Sequence, residues 1–127
     1  MLAAAVAAAP VAAREAPVGS AERKAVLGAL RSPIEARLGR DVEFVVTTIR
    51  VADGWAFVMA EPRRKGGRAI DGRAIFGEHF GNMDGLTVTA VIRRDKGRWR
   101  VVDHAIGATD VWYCDLGPPA LKRGYGC

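Results

Sequence analysis

Phe44-Val45-Val46-Thr47-Thr48-Ile49-Arg50-Val51, then Ala52-Asp53-Gly54, then Trp55-Ala56-Phe57-Val58-Met59-Ala60 is the stretch that decides the fold of this chain. β-Branched and aromatic residues on either side of a Gly-bearing loop read as a β-hairpin. A second stretch repeats the device: Leu86-Thr87-Val88-Thr89-Ala90-Val91-Ile92-Arg93, then Arg94-Asp95-Lys96-Gly97, then Arg98-Trp99-Arg100-Val101-Val102. Its loop reads as one residue longer, and its surroundings are far more basic. Two antiparallel hairpins predict four strands. Apolar runs such as Trp55–Ala60 predict cover on both faces of the sheet.

Outward from the hairpins, Ser20 reads as an N-cap, with Glu22 in the first turn where a carboxylate suits the helix dipole. Leu27, Leu30, Ile34 and Leu38 follow at helical spacing. Pro33 interrupts them, and Ser32-Pro33-Ile34-Glu35 has the spacing of a capping box with Pro at the first position. The prediction is a helix over residues 21–31, kinked or restarted at Ser32 and ending near Gly39. Residues 62–85 form a long Gly-rich, basic crossover in which Arg68-Ala69-Ile70-Asp71-Gly72 is echoed by Arg73-Ala74-Ile75-Phe76-Gly77. A connection of that length carries function or structure of its own, and Glu78–Gly85 is expected to hold a helical turn. After the second hairpin, Thr109 is expected to cap a short helix through Cys114, stopped by Gly117-Pro118. The class is α+β: an N-terminal helix packed on a four-stranded antiparallel sheet, with a long crossover and a C-terminal tail.

The 127 residues suit one domain, expected over 18–127, and half are hydrophobic, as a globular core requires. Met1–Ala13 is Ala-rich and its apolar run is too short to span a bilayer. Small-residue cleavage sites of the A-x-A kind stand at Ala7-Ala8-Ala9 and Val11-Ala12-Ala13. Residues 1–17 are read as a signal-peptide remnant, which implies a bacterial periplasmic or secreted protein, or else as a flexible leader. The only cysteines are Cys114 and Cys127. After export they pair most simply with each other, closing a short loop that tethers the tail. The competing role, Cys114 as a nucleophile, has no family signature around it.

Helix, hairpins and the closing Asp95-Lys96-Gly97-Arg98-Trp99-Arg100-Val101-Val102-Asp103 resemble the cystatin-like and NTF2-like group of cone-shaped α+β folds. Over residues 20–115 the chain also resembles small exported bacterial proteins of unknown function. Trp55-Ala56-Phe57-Val58, Met83-Asp84-Gly85 and Gly107-Ala108-Thr109-Asp110-Val111 carry that likeness. The group holds isomerases, dehydratases, protease inhibitors and transport factors, so the resemblance implies a fold and no particular chemistry. The chain is short for the NTF2-like form, which weighs against a deep enzyme pocket.

Two basic clusters stand out. Arg63, Arg64, Lys65, Arg68 and Arg73 face one carboxylate, Asp71; Arg93, Arg94, Lys96, Arg98 and Arg100 face one, Asp95. Either is an anion-facing surface or a charged guard on a sheet edge. No aromatic-rich nucleic-acid motif interleaves with them, and export argues further against nucleic acid. Arg98 and Arg100, with Trp112 and Tyr113, are the candidate partner-binding residues. For catalysis the candidates are His104, Asp103 and Asp110, as a base near neutral pH or a carboxyl in an apolar pocket. Strict alternation places Asp103 on the face of Trp99 and Val101, and His104 on that of Arg100 and Val102. Glu78 and His79 with His104 have no metal-ligand spacing, so no metal is expected, and no cofactor motif is present. Trp55, Trp99 and Trp112 are either an aromatic ligand wall or core packing. Two functions compete. One is a non-catalytic exported binding module with an anionic or macromolecular partner at the second hairpin. The other is a small NTF2-like isomerase or hydrolase using His104 or Asp103 as general base. Exposed sheet edges leave a dimer open.

Overall fold

The computed structural model describes residues 12–125 and 127. The Ala7-Ala8-Ala9 cleavage site therefore lies outside the described residues. Five strands form one antiparallel sheet in sequence order: β1 (Arg14–Glu15), β2 (Val42–Ala52), β3 (Trp55–Arg64), β4 (Val88–Asp95) and β5 (Arg98–Ile106). Helix α1 (Ala21–Leu38) lies between β1 and β2 in the chain.

The four strands expected from the hairpins become five because Arg14 and Glu15 pair with Val51 and Arg50. Ala16 is 1% exposed. Part of the segment assigned to a leader thus belongs to the sheet. Two polar residues carry no strand periodicity, which is why composition hides them.

Both hairpins close on two-residue loops, Asp53-Gly54 and Lys96-Gly97, so their difference in length disappears. The φ values are 50° and 74° in the first and 51° and 78° in the second. Positive φ at both central positions is the type I′ geometry, whose twist matches that of the flanking strands.

Helix α1 is one element, not two. Ser20 caps it, its hydroxyl accepting from the Arg23 N–H. Pro33 sits inside it. The local cost of an interior proline is outweighed by burial of the stripe Val26, Leu30, Ile34 and Leu38, which continues across it. At its other end, the Arg64 guanidinium donates to the Leu38 and Arg40 carbonyls at 2.6 and 3.0 Å. A cation there satisfies helix-end carbonyls and suits the dipole.

The α1 stripe shares one buried cluster with Ile49, Val58, Ala60, Val88, Ala90 and Ile92. A second cluster joins the sheet to the tail: Phe57 and Val91 pack with Tyr113, Ala120, Leu121 and Tyr125. Alternate residues of β3 and β4 serve the two clusters, as the doubly apolar runs foretell. The crossover forms α2 (Gly72–Phe76), capped by Asp71, and a 3₁₀ turn over Gly77–Asn82. The tail forms a 3₁₀ turn over Trp112–Asp115, then α3 (Pro119–Lys122). Val111, not Thr109, occupies the N-cap position of the tail turn, without a side-chain hydrogen bond. Cys114 and Cys127 are disulfide-bonded, with Cα atoms 5.9 Å apart. Among the described residues, no helix is long and apolar enough to cross a membrane.

Candidate functional site

Strand β5 carries most of the candidate residues, and its register decides where they point. Ile92 pairs with Val101 and Val91 pairs with Asp103, so Val102 is an extra residue in the ladder. A bulge of this kind reverses the alternation beyond it. Ile92 and Ala90, in the α1 cluster, thus have Val101 and His104 as cross-strand partners. Val91, in the tail cluster, has Asp103. His104 therefore shares the α1 side with Trp99 and Val101, and Asp103 moves to the tail side. This inverts the assignment from strict alternation. The consecutive exposure of Val102 and Asp103 is the mark of the bulge in the burial pattern.

His104 is half-buried. Burial and, secondarily, the positive field of Arg37 on α1 hold its imidazole below the ordinary histidine value, against the opposing pull of Asp103. Its backbone N–H donates to the Asp103 carboxylate at 2.8 Å. The Asp103 side chain is thus a local backbone acceptor on an exposed stretch. Among the described residues, neither lines the clefts beside Glu22, Glu35, Arg50 or Asp110. Asp110 does: with Asp84, Thr87 and Thr89 it lines a cleft of about 220 Å³. Thr87 donates to Glu61, and Thr89 accepts from the Trp112 indole N–H at 2.9 Å. Among the described residues no group of His, Cys, Asp and Glu is placed to hold a metal.

Trp112 and Tyr113 are employed in covering the sheet. Tyr113 is 6% exposed, its ring centroid 4.7 Å from that of Phe57 in a tilted contact and 5.3 Å from that of Tyr125 edge-on. The aromatic groups on the tail side therefore form a packed cluster around Phe57. Trp99 packs at the margin of the other cluster, and Trp55 at the margin of the tail cluster.

The two basic segments differ in how their charges are met. In the crossover, Arg64 is bound to the end of α1, and Arg63 lies directly across from Glu43. In the β4–β5 hairpin, Arg93 lies directly across from Arg100, and Arg98 across from Asp95. Cross-strand like charges are unfavourable neighbours. Arg93, Arg98 and Arg100 share one side of the sheet, since two-residue steps preserve the face and the hairpin pairs Arg98 with Asp95. The Arg93 guanidinium stands over the Trp55 ring at 5.2 Å, which fixes one member of the trio. All three are exposed, and among the described residues the only ion pair is Arg14–Glu22, elsewhere. Arg94 points to the opposite side, lining two adjoining clefts with Glu22 and Trp99. There Arg14 grips both Glu22 oxygens at 2.7 and 2.9 Å and, with help from the field of Arg94, holds that carboxyl below the usual range.

Arg98 and Arg100 are thus brought together, and Arg93 joins them. Arg93 was legible as part of a basic run, but its facing position follows only from the register. Compared with family models, with curated proteins and with solved structures, the chain matches none.

Proposed function

We propose that this chain is a non-catalytic binding module whose β4–β5 hairpin engages an anionic partner through Arg93, Arg98 and Arg100. The observation that carries this is the direct pairing of Arg93 with Arg100. Two guanidinium groups across a ladder raise the local potential, and a bound anion relieves their repulsion. Edge protection alone needs charge on β5 but not a matching arginine on the interior strand β4. His104 and Asp103 are less suited to general-base chemistry. As successive strand residues they point to opposite sides, and neither lines the clefts beside Glu22 or Asp110.

We further propose a bacterial periplasmic or secreted location and a cystatin-like or NTF2-like fold. A disulfide within the tail supports the first, since such bridges persist in oxidising compartments. A helix placed before a consecutive antiparallel meander supports the second.

Retention on a sulfated polysaccharide column tests the binding surface. The triple variant R93Q/R98Q/R100Q is expected to elute at markedly lower salt than R63Q/K65Q/R68Q, which removes the same net charge from the crossover. Equal elution of the two variants would mean that net charge, not this hairpin, does the binding.

A further inference from the structure

The outer edge of β5 has a partner strand on one side only among the described residues. A two-residue hairpin closes on a hydrogen-bonded pair, here Asp95 with Arg98, and bonded and non-bonded pairs then alternate. Arg94 with Trp99 is therefore a non-bonded pair. The Arg94 N–H agrees, since it is committed to the Gly54 carbonyl on the β3 side at 2.7 Å. Trp99 and, two residues on, Val101 consequently turn their N–H and C=O groups outward. The Val102 bulge ends this regular edge. Between the turn and the bulge, Arg98 and Arg100 rise from one face, about 7 Å apart at the strand repeat.

We propose that this edge takes up an extended acidic segment of a partner protein by strand addition. Its backbone pairs with Trp99 and Val101, and carboxylates at alternate positions meet Arg98 and Arg100. The proposal rests on the hairpin being the anion-binding surface, and it names the class of anion. Polysaccharides and lipid headgroups can meet the guanidinium groups, but only a polypeptide also supplies the alternating donors and acceptors that an open edge requires. A second copy of β5 would crowd two arginines from each chain along one short edge. The charge thus selects a different, acidic partner.

The probe is a capped seven-residue peptide alternating Glu and Thr, titrated into the full chain while amide hydrogen exchange is followed. Binding is expected to slow exchange at Trp99 and Val101. The same peptide methylated on its backbone nitrogens is expected not to bind. In R98E/R100E, affinity for the Glu peptide is expected to fall by about tenfold or more, while a Lys-Thr peptide gains it. Unchanged exchange at Trp99 and Val101, or equal binding of the methylated peptide, would overturn strand addition. If the Glu peptide fails to bind while R93Q/R98Q/R100Q still loses polysaccharide retention, strand addition is refuted and the anion surface stands. If retention is also unaffected, the anion surface itself falls.

Discussion

At the scale of single residues, two positions are set by constraints that their neighbours make visible. Gly107 has φ +67°, and a Cβ placed there would lie 2.6 Å from the Gly85 carbonyl oxygen. Its own carbonyl accepts from the Asp84 N–H at 2.8 Å, so the two backbones are locked together. Backbone cannot swing aside as a flexible side chain can. Gly107→Ala is expected to destabilise the fold by about 2 kcal/mol or more, read as a lower urea midpoint. His104 supplies a pH effect with a definite sign. Burial and Arg37 favour its neutral form in the folded state. The unfolded chain then binds the proton more readily, so stability falls as pH drops below the ordinary histidine value and levels off once the folded imidazole is also protonated. Urea unfolding at about pH 7.5 and about pH 5 is expected to show this loss, and His104→Gln is expected to reduce it. An equal loss in the variant would assign the effect to other groups.

Among the elements, local chemistry made the hairpins readable and left other features hidden. Asp53-Gly54 and Lys96-Gly97 announce their turns because few residues adopt positive φ at two successive positions. Pro33 misleads because its penalty is local, while the burial that overrides it belongs to the assembled core. The Val102 bulge has no Gly or Pro to mark it, so the faces of Asp103 and His104 follow only from the paired strands. Arg64 is one cation in a basic run until its guanidinium is seen on the Leu38 carbonyl at the end of α1 and the Arg40 carbonyl just beyond it. The tail was legible through its cysteines. The bridge spans a sequence separation of 13 and closes the tail upon itself, next to the Phe57–Tyr113–Tyr125 cluster. C114S/C127S is expected to lose about 3 kcal/mol in urea unfolding relative to the oxidised protein, on the chain-entropy account. A double variant as stable as the oxidised protein would show that the aromatic packing alone holds the tail.

For the whole molecule, the division of labour between the two sides of the sheet sets what remains for binding. One side shares a buried cluster with α1 and the other a buried cluster with the disulfide-closed tail, and β3 and β4 contribute residues to both. At the turn end of the β4–β5 hairpin the residues on the tail side are exposed, and there Arg93, Arg98 and Arg100 gather. The candidate partner residues read from sequence divide along the same line. Arg98 and Arg100 are exposed on the hairpin, whereas Trp112 and Tyr113 are engaged in the tail cluster. Sequence spacing grouped these residues by proximity in the chain, and the register regroups them by face. Chemical-shift mapping on the isotope-labelled chain, titrated with a sulfated oligosaccharide, locates the anion site. Amide shifts are expected to concentrate at residues 93–100, marking the hairpin as that site, and to weaken with added salt. Shifts concentrated at residues 63–73, or spread evenly over all basic residues, would contradict that placement.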